Sequence, residues 1–119
     1  MNHCAVCGSS NTELHHIVFR SQAGYMANIT HNHIYLCPEH HRGNNSPHMK
    51  RKIDLELKKS MQSKLENLFD REYYNVTDIH QLLGISRQQA QKIVKTLIIY
   101  KEGYYVKDII SRMMGGRLY

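Results

Sequence analysis

His33-Ile34-Tyr35-Leu36-Cys37-Pro38-Glu39-His40-His41-Arg42 is the stretch on which the reading of this chain turns. Its first half is rich in β-formers and predicts a strand over residues 33–37. Pro38 suits the first position of a helix, which would carry His40 and His41. Gly43-Asn44-Asn45-Ser46-Pro47 would end that helix in a loop. Cys37-x-x-His40 has a counterpart upstream in Cys4-x-x-Cys7, with 29 residues between the two pairs. Two short chelate pairs of S and N ligands suit tetrahedral zinc, so Cys4, Cys7, Cys37 and His40 are the candidate structural zinc ligands. His3 is the rival ligand, with a poorer spacing. A pair of short strands and one short helix bury too little apolar surface to stand alone, and a metal cross-link would supply what that core lacks.

Outward from that stretch, the first 48 residues hold all three cysteines and eight of the nine histidines. Residues 1–12 read as a Gly/Ser/Asn-rich knuckle. Residues 13–20, Glu-Leu-His-His-Ile-Val-Phe-Arg, read as a strand, followed by a loop around Gly24. From Lys50 to Phe69 the period becomes helical: Ile53, Leu57, Met61, Leu65 and Leu68 make one apolar stripe. A second segment begins near Tyr73. Thr77 to Gly84 predicts a short helix stopped by glycine. Ser86 with Gln89 is a capping-box signature for the next helix, whose inner face would be Ala90, Ile93, Val94 and Leu97. Lys101-Glu102-Gly103 predicts a turn between two short strands, with Tyr100, Tyr104 and Tyr105 in the hairpin core. Ile109, Ile110, Met113 and Met114 would line a last helix ended by Gly115-Gly116.

The chain has 119 residues, room for one ordinary domain or two small ones. Three cysteines cannot all pair, which favours metal over disulfides. No apolar run is long enough for a bilayer, so no membrane partner is expected. The start of the chain lacks a basic-then-apolar leader, which predicts the cytoplasm. Residues 1–48 are neutral, Arg20 and Arg42 balancing Glu13 and Glu39. Residues 49–119 carry fourteen basic against eight acidic side chains and hold the whole net charge of +6. That basic half suits a polyanion, although solvated helix faces would look the same.

With the zinc set assigned, His15-His16, Asn32 and His41 remain. Here the chain resembles the HNH (ββα-metal) endonuclease family, through Cys4-x-x-Cys7, Leu14-His15-His16-Ile17, Asn32-x-Ile34-x-Leu36-Cys37 and His40-His41. Many members of that family carry cysteine where this chain has His40, an equally zinc-compatible ligand. The resemblance covers residues 1–48 and implies a metal-dependent hydrolysis of DNA phosphodiester bonds. It implies His16 as general base, His15 and His41 as ligands of a catalytic divalent metal, and Asn32 as the residue orienting the loop that bears His16. His48 would be a further ligand of that metal. The family's four-residue His–His step would fall on Asn45. Leu36 to Gly43, His48 and the Lys-rich helix are most similar to small phage-encoded HNH proteins, some of them assigned to recombination and to branched-DNA cleavage. If the chain is phage-encoded, the cytoplasm expected for it is that of the host.

A histidine with a pKa of about 6.5 can serve as base at neutral pH. Imidazole ligands favour Mn²⁺ or Ni²⁺ over Mg²⁺. Adjacent residues in a strand point to opposite faces, so His15 and His16 can share one site only if the strand ends or bulges there.

Residues 74–119 resemble a winged helix-turn-helix. Arg87, Gln88 and Gln91 would then read base edges, Lys92 and Lys95 would contact phosphates, and the 101–106 hairpin would be the wing. The expectation is an α+β chain: a zinc-bound ββα-metal (HNH) unit with its long trailing amphipathic helix over 1–70, and a mainly α, winged helix-turn-helix-like DNA-binding unit over 71–119. One active site makes one cut, so a double-strand break needs a homodimer or two visits. The alternatives are a non-enzymatic DNA-binding protein, either a recombination mediator or a transcriptional regulator, on an inert zinc knuckle, and a protein-interaction module.

Overall fold

The computed structural model describes residues 2–119. It is an α+β chain. Strand β1 (Glu13–His16) pairs antiparallel with β2 (His33–Leu36), with His15 opposite Ile34 and His16 opposite His33. Helix α1 (Pro38–Arg42) follows β2 directly, with Pro38 in its first turn. Helix α2 (Arg51–Leu68) is the longest element. Then come β3 (Tyr73–Tyr74), α3 (Val76–Leu83), α4 (Arg87–Val94), β4 (Ile99–Tyr100), β5 (Gly103–Tyr105) and α5 (Val106–Met113). The second sheet has the order β3-β5-β4, all antiparallel.

Local chemistry sets most of these boundaries. Asn75 accepts from the Asp78 amide at 2.7 Å while Asp78 accepts from the Asn75 amide at 3.1 Å, a closed capping box that starts α3. Gly84, at φ 66°, takes the left-handed conformation that ends it. Ser86 and Gln89 form the expected box on α4, at 3.0 and 2.9 Å. Gly103 lets β5 approach β3: a Cβ there would meet the Tyr74 carbonyl oxygen at 2.8 Å.

Four expectations are corrected. The first strand stops at His16 and does not continue to Arg20. Beyond it, the Asn32 side chain takes the place of a strand partner, accepting from the Val18 amide at 2.6 Å and donating to the Val18 carbonyl at 3.0 Å. On α2, Met61 and Leu65 are buried but Ile53, Leu57 and Leu68 are only half-buried, whereas Lys58 and Gln62 are buried. Lys58 pays for its burial with an ion pair to Asp54 at 2.8 Å and a position over the Phe19 ring. Gln62 exchanges two hydrogen bonds with the backbone of Tyr119. The hairpin turn is Lys101-Glu102 alone, and Val106 already belongs to α5. Tyr100 is exposed against Tyr73, while Tyr104 and Tyr105 are half-buried.

One apolar core runs through both ends of the chain. Ile17, Val18, Met26 and Ile29 meet Met61 and Leu65 of α2, and the same cluster continues through Ile79, Ala90, Ile93, Ile109 and Met113. A smaller cluster of Cys4, Leu36 and Cys37 lies under the knuckle. The boundary at residue 70 therefore divides the sequence without dividing the main core. Among the described residues, no helix is long and apolar enough to cross a membrane.

Ile93 is fully buried at the centre of this shared core. Ile93→Ala should cost about 2–5 kcal/mol. The loss should appear as one cooperative transition, coincident when followed through the tyrosines of the second sheet and through reporters at Val18 and Met26. Two separate transitions would show that the halves fold independently.

Candidate functional site

Two groups of metal-competent side chains form, and they meet at the adjacent residues His40 and His41. In the first, the ligand atoms of Cys4, Cys7, Cys37 and His40 all lie within 4.8 Å of one another. The Cys7 and Cys37 sulfurs are 3.8 Å apart, and His40 Nδ1 lies 3.7 Å from Cys4 Sγ and 3.2 Å from Cys37 Sγ. A tetrahedral ion with metal–sulfur bonds of about 2.3 Å has S···S edges of about 3.8 Å, so the four residues fit such an ion. The knuckle is wrapped for this purpose: the Gly8 amide bonds the Cys4 carbonyl, and the Ala5 amide bonds Tyr35 of β2. Burial of the Cys4 thiol opposes its ionisation, but amide donors from Cys37, Cys7 and Val6 outweigh it and hold its pKa at about 5. This sulfur is a thiolate at neutral pH. At Cys7 the Ser9 amide favours the thiolate, yet the crowding sulfurs of Cys4 and Cys37 prevail and raise the pKa. A bound cation would release that proton. His3 is exposed and takes no part in the group.

The second group is His15, His41 and His48, again with ligand atoms within 4.8 Å. Ring centroids are separated by 5.0 Å (His15–His41), 4.9 Å (His15–His48) and 4.8 Å (His41–His48). His41 and His48 bring their Nε2 atoms to 3.1 Å. His15 Nε2 is buried without a hydrogen-bond partner, which is costly unless a cation uses its lone pair. Burial lowers the His15 pKa to about 4, helped by His48, His41, His16 and Lys58. Burial and His41 also lower that of His48, against a smaller opposing pull from Asp54. Both shifts favour the neutral imidazole, the form that binds metals. His48 reaches the group across a seven-residue step because α1 ends at Arg42 and Gly43 turns the chain; a Cβ at Gly43 would fall 2.4 Å from the Glu39 carbonyl oxygen. Phe19 stacks on the His48 ring at 5.5 Å and is itself capped by Lys58. Asn45 is exposed and outside the group.

Glu13 is the neighbour of this group that spacing did not reveal. It accepts from His41 Nδ1 at 2.8 Å and from Arg42 at 2.9 and 2.6 Å. Arg42 first, then His41, hold its carboxyl below the ordinary range. A carboxylate on Nδ1 fixes the tautomer that leaves His41 Nε2 free for a metal. The only sequence signal was its place two residues before His15, on the same face of β1.

His16 is the last residue of β1, and the strand ends there as the shared site requires. His15 and His16 line one cleft of about 410 Å³ together with His41, His48, Phe19 and Arg20. His16 Nε2 lies 2.9 Å from the Ala27 carbonyl, and His33 Nε2 approaches the same oxygen at 2.7 Å. A carbonyl only accepts, so His16 carries its proton on Nε2 and keeps Nδ1 as a free base. Burial lowers the His16 pKa, opposed by the Ala27 bond and assisted by His33 and Arg20. Fully buried Asn32 holds the intervening loop through Val18 and the Met26 carbonyl.

On α4, Arg87, Gln88, Gln91 and Lys92 are all exposed, as is Lys95 at its end. Arg87 donates to Thr77 Oγ1 at 2.7 Å. No family model, curated protein or solved structure matches the chain.

Chelation of metal from the Cys/His group should lower the melting temperature, and Cys37→Ser should lose one tightly held ion by native mass spectrometry. As pH falls, protons compete with the ion for the thiolates, Cys7 with its raised pKa being the first to take one up, and the ion should be released in acid. Glu13→Gln should weaken metal at the His15/His41/His48 group by about 10- to 100-fold by calorimetric titration, leaving the Cys/His ion in place.

Proposed function

We propose that this protein is a metal-dependent DNA endonuclease of the HNH type, with zinc as the structural ion at Cys4, Cys7, Cys37 and His40. The observation that carries the reading is the convergence, in one cleft, of three metal-competent imidazoles with a fourth histidine whose Nδ1 is a free base. His15, His41 and His48 would hold the divalent ion. When bound, that ion supplies positive charge to the scissile phosphate and to the departing oxygen. His16 Nδ1 takes a proton from a water, the resulting hydroxide attacks phosphorus, and the P–O bond to the leaving strand end breaks. Asn32 and the Ala27 carbonyl keep His16 oriented during that transfer. Arg20, exposed at the rim of the cleft, contributes charge for the phosphate backbone.

The second half reads as a winged helix-turn-helix in service of that cut. Its support is the succession of a strand, two capped helices and a hairpin, the sheet order β3-β5-β4, and an outward face of α4 carrying Arg87, Gln88, Gln91, Lys92 and Lys95. Those residues suit base edges and phosphates in a major groove. The same face supports the rival reading, a DNA-binding protein that does not cut.

Incubation with duplex, single-stranded and branched DNA and added Mn²⁺, Ni²⁺ or Mg²⁺ separates the two. Cleavage is expected with Mn²⁺ or Ni²⁺ at least as fast as with Mg²⁺. His16→Ala should lower the rate by about 10²- to 10⁴-fold with structural zinc retained. Salt-dependent DNA binding without cleavage in any of these ions would establish the non-enzymatic protein instead.

A further inference from the structure

Arg112, near the end of α5, touches both halves of the chain. Its guanidinium lies 3.6 Å from the ring centre of Tyr25, in the short 3₁₀ turn Gly24–Met26. The same group donates to the Ile93 carbonyl at 3.0 Å and the Lys92 carbonyl at 3.4 Å, at the end of α4. In return the Arg112 carbonyl accepts from the Tyr25 hydroxyl at 2.6 Å. Helix α4 also packs directly on this turn.

The residue after the turn is Ala27, whose carbonyl holds His16. A charged fork on the last carbonyls of a helix is a favoured arrangement, and one held over an aromatic ring loses less freedom in making it. Arg112 thus connects the C-terminal end of α4 to the Ala27 carbonyl through one aromatic contact and two residues of tight turn.

We propose that Arg112 is a positioning residue that holds the loop bearing Ala27 in register with α4, so that the cut falls at a fixed offset from the DNA lying under α4. The second clause rests on the nuclease reading above. The first stands on the geometry of the clasp alone. A rigid link of this kind lets a small protein convert where it sits on DNA into where it cuts, without a separate sensing element.

The test uses the full chain with both metal groups loaded, as wild type, Arg112→Ala, Arg112→Lys and Tyr25→Phe. Amide hydrogen exchange at Met26, Ala27, Ile29 and Asn32 reads the clasp without any need for cleavage. Arg112→Ala should speed exchange there by about tenfold or more. Tyr25→Phe, which removes one hydrogen bond and should fold normally, should show a smaller rise. The amides at Asp78 and Gln89 should not change. Cut positions mapped at nucleotide resolution read the second clause. Wild type should cut within one narrow window, and Arg112→Ala should broaden it and lower kcat with KM for DNA unchanged. Arg112→Lys keeps the charge but not the fork, and should recover only part of either effect. Exchange at Ala27 and Ile29 within about twofold of wild type in both Arg112→Ala and Tyr25→Phe would overturn the clasp. Cuts spread evenly by wild type, or an unbroadened window in Arg112→Ala, would overturn the fixed offset. Absence of cleavage by wild type in every ion would remove the nuclease reading and the offset with it, and the exchange data would still decide the clasp.

Discussion

The arrangement depends first on the convergence of Cys4 and Cys7 with Cys37 and His40. The knuckle buries almost no apolar surface of its own, and the cluster beneath it is only Cys4, Leu36 and Cys37. The ligand atoms of these four residues fit one tetrahedral ion, which would fasten the start of the chain to the junction of β2 and α1. That junction is also where His41 begins its approach to His15. A shift of a few tenths of an ångström at Cys37 would move His41 relative to Glu13 and His48. The group that builds the fold and the group that could do chemistry are therefore one residue apart in sequence and share one helical turn.

A second constraint acts from the opposite side of the cleft. Asn32 replaces the strand partner that β1 lacks beyond His16, and the loop it holds returns with the Ala27 carbonyl against the His16 ring. Because the loop is packed through Met26 and Ile29 into the main core, and that core reaches α4 and α5, the position of His16 is tied to the whole molecule. Backbone carbonyls and a buried amide do this work because they are fixed by folding and do not titrate.

Much of the local organisation was legible in the sequence. The chelate spacing, Pro38 at the start of α1, the period of α2, Gly84 and the Ser86–Gln89 box are all written in residues within a few positions of one another. Where the sequence misled, a tertiary contact had overruled a local preference. Val18 and Phe19 favour a strand, but Asn32 takes the Val18 backbone groups. Lys58 has a helical lysine's usual preference for water, but Asp54 and the Phe19 ring hold it inside.

By itself the sequence determined the two chelate pairs Cys4/Cys7 and Cys37/His40, because ligand type and short-range spacing are sequence properties. It also determined the capped helices of the second half, because capping is an exchange between residues three apart. Only the tertiary structure decided that Glu13 meets His41 and that His48 joins His41 across a seven-residue step. Only it decided that one core runs through both halves and that Arg112 reaches Tyr25. Those contacts span from seven to 87 residues of chain, and their partners are chosen by packing and by the direction in which strands and helices bring side chains together.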